Sequence, residues 1–335
     1  MPKKKIITLK EIAKKCGVSI ATVSFVLNNK NRKGISPITW NKVEKVFQKY
    51  KYRRNKKKTS LKKIIFFLES TTLRAASRFL IGINNQVIQD NEFIFLFNAI
   101  SDNTKNINKI IDRHHPDGII LATGRTKELN FNISQIKSNM ILLNCWAKKY
   151  NGITILPAEY SSSKNVIKSL INNNKKNIAI ILPQEYWWQS YEDRLSGWRD
   201  AFTECNLIYN SSLICKPNKN KKFNSESEIG YLSLKKLINQ NIKIDAIFAT
   251  NDYLAMGCYQ IAEKYNLNIP KDLSIVGFDN SETAVNLKPG LTSIQLPIPD
   301  MTSKAIQHVF DNKNYDENFK VSVNCDVIER KSVKS

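Results

Sequence analysis

The sequence predicts a small all-α domain followed by a larger α/β part made of two doubly wound parallel-sheet subdomains. In the first 50 residues, apolar side chains recur at intervals of three and four, which is the period of an amphipathic helix. From Ile64 onward, short continuous apolar runs alternate with helical stretches, a pattern typical of parallel strands covered on both faces. The length of 335 residues allows about two or three domains, and a hydrophobic content of 42% is enough to fill their cores.

The charge of the chain is concentrated in the predicted all-α part. The first 63 residues contain 20 of the 52 Lys and Arg residues but only two of the 29 acidic residues, which gives +18 of the formal +23. A solvated basic tail would also explain this asymmetry, whereas a uniform compositional bias would spread the charge over the chain. Because duplex DNA is a dense line of phosphates, a compact basic module with a groove-sized helix favours a DNA-binding function.

Several classes of protein are disfavoured by the sequence. It has no run of about 18 apolar residues and no apolar signal segment after its basic start, so we expect a cytoplasmic protein without membrane contact. The six cysteines form no Cys-x-x-Cys pair and are expected to be reduced. The sequence suggests neither a Ser-His-Asp or Cys-His combination, nor a phosphate-binding glycine loop, nor a metal-ligand cluster. We therefore expect no enzyme, no cofactor and no metal site.

Each of the three helices predicted for the N-terminal part has its own start signal. Thr8 and Glu11 have capping-box spacing, and Gly17 supplies the positive φ that a tight turn after the first helix requires. Ser19 is expected to cap the second helix, and Ser36-Pro37 begins the third. The buried stripes of the three helices are predicted to be Ile12, Ala13 and Cys16; Val23, Val26 and Leu27; and Trp40, Val43, Val46, Phe47 and Tyr50.

The spacing of Ala13, Gly17 and Val23 is more specific than helical periodicity. It indicates a close helix crossing followed by a turn, and therefore favours a helix-turn-helix over a plain three-helix bundle. The second helix would keep one set of side chains outside the core: Ile20, Ala21, Ser24, Phe25 and Asn28.

The chain resembles the lac repressor family of bacterial transcription regulators at residues 7–13, 17–19, 22–24 and 26–28. The resemblance implies that the second helix lies in the major groove, with Ile20, Ala21 and Phe25 at positions that read bases. These side chains can touch thymine methyl groups but cannot form bidentate bonds to guanine. We therefore expect an operator read partly through A·T content, shape and phosphates. The remaining predicted DNA contacts are Thr8 and Ser24, together with Ser19, Thr22 and Asn28, which would mostly meet phosphates.

The basic linker at residues 54–63 departs from the pattern of the family, so its hinge helix is predicted to be atypical or missing. The proline and the alanine of the family pattern are replaced by Arg54 and Lys58. One interpretation is that Leu61 still wedges into the minor groove. The other, slightly favoured, is that the segment is only a basic tether over phosphates, formed by Lys56, Lys57 and Lys58.

The α/β part, residues 64–335, follows a DNA-binding domain predicted at residues 1–53. Its candidate strands are 64–68, 93–98, 118–121, 140–144, 178–182, 246–249, 274–276 and 325–328. We assign them to two subdomains, predicted at 64–157 plus 289–319 and at 158–288 plus 320–331. In folds of this type a ligand binds at the carboxyl ends of the strands, so the ligand site is expected in the cleft between the subdomains.

Several segments of the α/β part resemble the family's effector domain, which shares the fold of type I periplasmic sugar-binding proteins: 116–120, 193–201, 249–257, 270–280 and 291–294. The resemblance implies effector contacts by Arg194, Asn251 and Asp279, and less directly by Asn144. A guanidinium and a carboxylate can form charge-assisted hydrogen bonds to several hydroxyls. The alternatives are a structural ion pair or a cap for Arg194 and Asp279, and a helix cap for Asn251.

Aromatic and basic residues near the predicted cleft leave the class of effector open. Trp187, like Trp188 and Trp146, is either a stacking platform for a sugar ring or an aromatic residue of the rim or core. The segment 73–78 lacks the aromatic residues that would stack on a base, which argues against a purine. Its arginines, Arg74 and Arg78, either meet an anionic group or are surface charges.

The best interpretation is a cytoplasmic, homodimeric transcription regulator, most simply a repressor. Its expected partners are a near-palindromic double-stranded DNA operator and a small-molecule effector of the carbohydrate class. The helix at 79–91 is a candidate for the dimer face. Three other interpretations stay open: a DNA-binding regulator with an unresponsive cleft, a sugar-binding protein without a transcriptional role, and an enzyme.

Overall fold

The computed structural model of the chain divides into two compact units, residues 1–61 and 62–335. The structure describes residues 8–28, 34–49, 62–69, 73–90, 93–99, 104–129, 133, 136, 140–148, 150–310 and 318–334. The predicted hinge helix and tether therefore lie outside the described residues, with Lys56, Lys57, Lys58 and Leu61. The side chains of Asn28 and Arg74 also lie outside the description, although the helices that carry them are described.

The first unit contains the predicted three helices, α1 (Leu9–Cys16), α2 (Ile20–Asn28) and α3 (Pro37–Lys49). The capping box of Thr8 and Glu11 begins α1 with both of its reciprocal hydrogen bonds. Gly17 ends this helix in the left-handed conformation, with φ 63°. Both signals that the sequence carries for the ends of α1 are thus confirmed.

Serine caps begin the other two helices of the first unit. The Ser19 hydroxyl accepts a hydrogen bond from Thr22 N at 3.0 Å, and the Ser36 hydroxyl accepts one from Thr39 N at 3.2 Å. The core between the helices is formed by the predicted stripes. Its buried members are Ile12, Ala13, Cys16, Val23, Val26, Trp40 and Val43, and Leu27, Val46 and Phe47 pack against them.

The second unit contains two six-stranded sheets. The strands of the first are β1 (Lys62–Glu69), β2 (Phe93–Ala99), β3 (Gly118–Glu128), β4 (Met140–Trp146), β5 (Ile153–Pro157) and β11 (Phe319–Val323). Their order is β11-β5-β4-β3-β1-β2, and all neighbours are parallel. The helices that accompany this sheet are α4 (Leu73–Asp90), α5 (Thr104–His114) and α11 (Ile298–His308). Side chains of α4 and α11 pack on one face of the sheet and Ile107 of α5 packs on the other, so the sheet is covered on both sides.

The second sheet has the same doubly wound construction. Its strands are β6 (Ile178–Ile181), β7 (Ile214–Cys215), β8 (Ala246–Ala249), β9 (Ser274–Phe278), β10 (Thr292–Ile294) and β12 (Val327–Ile328). Their order is β12-β10-β9-β8-β6-β7, and only the β10–β12 pair is antiparallel. The helices of this part are α6 (Glu159–Asn172), α7 (Gln189–Glu204), α8 (Glu226–Asn239), α9 (Asp252–Lys264) and α10 (Glu282–Asn286).

All eight candidate strands are present, but the sequence did not identify β5, β7, β10 and β11. These four strands have only two to five residues each. Most side chains of β11 are exposed or half-buried, so its sequence lacks the continuous apolar run of a central strand. Among the described residues, no helix is long and apolar enough to cross a membrane.

The chain passes between the two sheets at points that differ from the predicted subdomain boundaries. The segment 289–319 was assigned to the first subdomain, yet β10 lies in the second sheet. The segment 320–331 was assigned to the second, yet most of β11 lies in the first sheet. Both corrections have the same cause. Which sheet a short strand joins depends on its hydrogen-bonding neighbour, and the local pattern of a three- or five-residue strand does not encode that neighbour.

Candidate functional site

The outward face of α2 is not used by the core of its own unit. Ile20 is 47% exposed and Phe25 is 41% exposed, and Ala21 is exposed as well. Because Ala21 and Phe25 are separated by one helical turn, they are neighbours on the helix surface. Thr22 and Ser24 flank them and are half-buried. The side chains predicted to read bases are therefore exposed on the surface of the unit.

Positive charge lies on the other two helices of the same unit. Lys10, Lys14 and Lys15 of α1 and Lys42 and Lys45 of α3 all have exposed side chains. Ammonium groups of this kind bind phosphates, which position a protein on DNA without reading its sequence. The unit thus combines a basic surface with an exposed apolar helix face.

Two of the predicted DNA contacts, Thr8 and Ser19, also cap helices of the unit. The Thr8 hydroxyl accepts a hydrogen bond from Glu11 N at 3.3 Å and lies 2.9 Å from Glu11 Oε2. The Ser19 hydroxyl caps α2 and lies 2.9 Å from the Thr22 hydroxyl. Both hydroxyls serve as helix caps, and DNA contacts by Thr8, Ser19, Thr22 and Ser24 stay predictions.

The second unit has a cleft of about 230 Å³ at the carboxyl ends of its strands. Four of the five predicted effector residues line it: Asn144, Arg194, Asn251 and Asp279. One further lining residue is Arg78, which the sequence offered either as a contact for an anionic group or as a surface charge. The other lining residues are Phe79, Gly124, Arg125, Thr126, Glu159, Ser190, Tyr191, Glu226, Leu296 and Ile298. The cleft therefore contains three guanidinium groups and three carboxylates.

Arg194 is buried and largely occupied by the protein itself. It is 4% exposed, and its Nε donates to Glu159 Oε2 at 2.8 Å. Its Nη1 donates to the carbonyl oxygen of Thr250, and the guanidinium carbon lies 3.5 Å from the centre of the Phe278 ring. Burial alone lowers the pKa of Arg194, but the carboxylates of Glu159 and Asp279 outweigh this effect and raise it. Arg194 therefore stays charged, and the protein itself already uses part of its hydrogen-bonding capacity.

Glu159 is a residue of the cleft that the sequence analysis missed. It lies in the first turn of α6, is 2% exposed, and accepts a hydrogen bond from the Thr126 hydroxyl at 2.9 Å as well as that from Arg194. Burial raises the pKa of Glu159, while Arg194 acts in the opposite direction. A glutamate in the first turn of a helix is expected on electrostatic grounds alone. Its sequence position therefore gave no sign of a buried ion pair.

The two asparagines of the cleft are also used structurally. Asn144 lies in the buried part of β4 with φ 60°. Its Nδ2 donates to the carbonyl oxygen of Thr123 at 3.0 Å, and its Oδ1 lies 2.7 Å from the Thr126 hydroxyl oxygen. Asn251 caps α9, because its Oδ1 accepts from Leu254 N at 2.9 Å. The predicted alternative of a helix cap is thus realised for Asn251, although the side chain still lines the cleft.

Asp279 and Arg78 face each other from opposite walls of the cleft. Asp279 follows β9, and its carboxylate forms no hydrogen bond or ion pair with any residue that the structure describes. Arg78 comes from α4 and donates from Nη2 to the backbone oxygen of Asp279 at 3.4 Å. Of the two arginines considered at 73–78, Arg78 therefore reaches the cleft. A negative and a positive group are available here to a bound molecule.

Arg125, which the sequence analysis also missed, crosses the mouth of the cleft from β3. Its Nη1 donates to the Tyr191 hydroxyl at 3.0 Å, and its guanidinium carbon lies 4.4 Å from the centre of the Trp188 ring. Its Nη2 lies 3.7 Å from Glu226 Oε1. Burial raises the pKa of Tyr191 to about 12, so its hydroxyl stays neutral and can accept this bond.

Trp187 does not line the cleft, so its predicted role as a stacking platform there is wrong. The ring is 50% exposed, and it packs edge-on against Tyr186 with 5.7 Å between the ring centres. Lys219 Nζ lies 5.3 Å from the centre of the Trp187 ring. The loop after β6 turns this side chain outward. The ring of the neighbouring Trp188 instead packs against the guanidinium of Arg125. Residues adjacent in a loop point in different directions, which sequence position alone does not reveal.

Comparisons with known proteins assign both parts of the chain. Residues 8–55 match the family described as bacterial regulatory proteins, lacI family, and residues 167–333 match the periplasmic binding protein-like domain. Catabolite control protein A of Priestia megaterium is 26% identical over 313 residues, which cover 90% of this chain and 91% of that protein. The ribose operon repressor of Haemophilus influenzae is 25% identical over 326 residues, covering 94% and 95%.

Solved structures share the fold over nearly the whole chain. The complex of the transcriptional regulator CelR with cellobiose superposes with a TM-score of 0.63 at 17% identity, covering 97% of this chain and 99% of that one. The lac repressor dimer bound to operator and an anti-inducer superposes with a TM-score of 0.62 at 18% identity, covering 99% and 100%. The chain therefore combines a lacI-family DNA-binding domain with a periplasmic binding protein-like domain, and its relatives are regulators of the lacI type.

Proposed function

We propose that this chain is a cytoplasmic transcription repressor whose affinity for an operator is set by a small neutral polyhydroxylated molecule in the cleft. The observation that carries the first half is the outward face of α2, where Ile20, Ala21 and Phe25 are exposed on a basic three-helix unit. An exposed helix of this size fits the major groove of B-DNA. The relatives, which are named as regulators and repressors, support regulation rather than catalysis.

The apolar face of α2 determines what kind of operator to expect. None of its three base-reading side chains can donate or accept a hydrogen bond, so direct readout reduces to contact with thymine methyl groups. The rest of the specificity would come from DNA shape and from phosphate contacts by the surrounding lysines. We therefore expect an A·T-rich operator.

The balance of charge in the cleft favours a neutral effector. Arg194 is paired with Glu159 at 2.8 Å, and Arg125 lies 3.7 Å from Glu226. The remaining two charges, Arg78 and Asp279, are opposite in sign. A polyol satisfies both, since each hydroxyl can donate to a carboxylate and accept from a guanidinium. The volume of about 230 Å³ lies below the range of about 300–1000 Å³ typical of sites for drug-sized ligands, so the molecule should be small.

A purine effector fits the cleft less well. Stacking on a base requires an open aromatic face. Phe79 is 1% exposed, and Tyr191 is buried with the guanidinium of Arg194 5.2 Å from its ring centre. The lining aromatics therefore support a sugar over a base.

Dimerisation is supported by apolar side chains on two helices of the second unit. Leu80 and Ile81 of α4 and Val285 of α10 are 48%, 53% and 56% exposed. Exposed apolar groups of this kind mark association surfaces when they lie together. A solved relative is described as a dimer on its operator. A symmetric dimer would read two half-sites of a near-palindromic operator.

Selection of bound fragments from random duplexes, with and without sugars, tests the proposal directly. The effector arm uses D-ribose and cellobiose together with their phosphorylated forms. We expect an A·T-rich palindrome and a change of at least fivefold in affinity with a neutral sugar, because coupling between sites is typically about 1–3 kcal/mol. Asp279→Ala should remove the sugar response and leave operator binding intact. A phosphorylated sugar as the sole active compound would contradict the neutral class.

The runner-up is a repressor whose cleft does not respond to any ligand. It is favoured by one observation, that both arginines are already bonded to groups of the protein: Arg194 to Glu159 beside it, and Arg125 to Tyr191 across the cleft. A ligand that binds the native state must raise the melting temperature. Unchanged melting temperatures across the whole sugar set, with operator binding intact, would favour this function.

A further inference from the structure

Asp252, the first residue of α9, is a fully buried carboxylate that takes no part in lining the cleft. Its Oδ2 accepts hydrogen bonds from Ser281 N at 2.6 Å and from the Ser281 hydroxyl at 2.7 Å. Its Oδ1 accepts one from the Ser293 hydroxyl at 2.6 Å. Within the described residues no cation is bonded to it. Burying a charge without a counter-charge is energetically costly unless hydrogen bonds satisfy it. These three hydrogen bonds therefore stabilise the buried carboxylate.

The segment held by these bonds is the loop that carries Asp279. Asp279 has φ 104° and Asn280 has φ 46°. Residues with a Cβ rarely adopt this half of conformational space, and two in succession persist only where surrounding contacts impose the conformation. The loop therefore needs an external anchor to keep its shape.

The backbone amides of the loop show where that anchor is. Asp279 N donates to the carbonyl oxygen of Ile294 at 2.8 Å, which is an ordinary contact with β10. Asn280 N donates to the Ser293 hydroxyl at 3.1 Å, and this hydroxyl in turn donates to Asp252. Ser281 N donates to Asp252 itself. Two of the three amides thus depend on the Asp252 carboxylate, one directly and one through a single hydroxyl.

The strand before the loop has a glycine where the Asp252 carboxylate packs against it. Gly277 lies in β9, and a Cβ placed on it would collide with Asp252 Oδ1. Its φ is not in the left-handed region. Backbone freedom therefore does not require glycine at this position, whereas the space taken by the carboxylate does.

We infer that Asp252 is a positioning residue of the effector site: its carboxylate imposes the loop conformation that presents Asp279 to the cleft. The role of Asp279 as a ligand contact rests on the proposed function. The ordering of the loop by Asp252 does not, so the two can be tested separately.

Amide hydrogen exchange of the full-length protein tests the ordering without any ligand. Asp252→Asn keeps the size of the side chain, but removes its charge and turns an NH₂ group toward donors. We expect the amides of Asn280 and Ser281 to exchange at least tenfold faster, with those of β8 unchanged. The matched control is Asp272→Asn, an exposed carboxylate that accepts from Asn268 N at 2.8 Å and Asn268 Nδ2 at 2.9 Å. It should leave Asn280 and Ser281 unchanged.

A second variant guards against a general loss of stability. Ser293→Ala removes the relay to Asn280 N together with the hydrogen bond to Asp252 Oδ1, but leaves both bonds from Ser281 to Oδ2. Faster exchange is therefore expected at Asn280 and not at Ser281. If Asp252→Asn leaves both amides protected, or speeds exchange in β8 by the same factor, Asp252 is not a positioning residue and the inference is wrong.

A double-mutant cycle links the ordering to the site. For any sugar of the set that raises the melting temperature, Asp252→Asn should weaken binding at least tenfold. It should have no further effect in an Asp279→Asn background, because its action passes through Asp279. Additive losses would overturn the positioning role. If no sugar binds while the exchange result holds, the effector proposal fails and the ordering of the loop stands.

Discussion

The candidate functional residues on the outward face of α2 are exposed, whereas those in the cleft are mostly buried and hydrogen-bonded to the protein. Ile20 and Phe25 are about half exposed, and neither side chain belongs to the hydrophobic core of the three-helix bundle. Arg194 and Glu159 are 4% and 2% exposed and are bonded to each other between segments remote in sequence. Helical periodicity locates the first kind of site, whereas only the folded chain reveals the second.

The difference predicts how each region responds to substitution. A side chain that the core does not use can change partner binding with little cost in stability. A buried charge that has lost its partner destabilises the fold before any ligand is considered. The following predictions test that contrast, beginning with the largest expected effect.

Glu159→Ala should destabilise the second unit by about 3–5 kcal/mol, because it leaves the buried guanidinium of Arg194 without its carboxylate. Urea unfolding followed in the second unit measures the loss. The matched control is Glu204→Ala, whose carboxylate pairs with Lys164 at 2.6 Å and Lys168 at 3.0 Å on the surface. Surface pairs contribute little, so this control should unfold like the wild type. Equal losses in the two variants would remove the contrast between buried and exposed pairs.

Asp252 should make stability depend on pH. Burial, together with the charge of Asp279, raises its pKa from the ordinary 3.8 to about 6. Folding therefore favours its protonated form. The stability this provides is fully present below about pH 4 and is lost as the pH rises to about 6, a change on the order of 2–3 kcal/mol.

Unfolding of the wild type and of Asp252→Asn between pH 4 and pH 7 checks this sign. The stability of the wild type relative to the variant should fall as the pH rises. A relative stability that rises with pH would show that the hydrogen bonds from Ser281 and Ser293 outweigh burial.

Ser19→Ala should destabilise the first unit by about 1 kcal/mol, since it removes the side-chain cap of α2. The matched control is Ser19→Thr, which keeps a capping hydroxyl at the same position. Thermal unfolding of the first unit measures both. If the two variants melt alike, the hydroxyl of Ser19 is not the cap that the structure indicates.

Phe25→Ala should change stability by less than about 0.5 kcal/mol, because the side chain lies outside the bundle core. Its effect should instead appear in the operator sequences that the protein selects, with a smaller change in overall affinity. A large loss of stability would mean that this face is structural after all.

Deletion of residues 56–58 should weaken DNA binding for all sequences and flatten the dependence of log affinity on log salt by up to about 2–3 units. Each lysine that neutralises one phosphate contributes about 0.9 to that slope. Titration of a random and a selected duplex over a range of salt concentrations measures it. An unchanged slope would contradict the basic tether.

Much of the fold was predictable because its signals are local. The caps of α1, α2 and α3 and the turn at Gly17 involve residues within one helical turn of each other. The eight candidate strands are short runs that could be recognised from their own composition. Four predicted effector residues line the cleft, and it was the resemblance to the family, not a local pattern, that implied their contacts.

The misses share the opposite property. Trp187 was assigned to the cleft although its loop turns it outward, and Glu159 was overlooked because its partner is 35 residues away. The assignments of β10 and β11 to subdomains were wrong because the sequence of a short strand does not indicate which strand it will pair with.

The sequence by itself determined that a basic three-helix unit precedes two parallel-sheet subdomains, and that α2 keeps an apolar face outside its core. Only the tertiary structure decided which charges of the cleft are paired and which strands close each sheet. It also decided that Asp252 anchors the loop of Asp279. The physical reason is one of range. Helix caps and periodic burial depend on neighbours along the chain, whereas hydrogen bonds between buried polar groups depend on distances that exist only after folding.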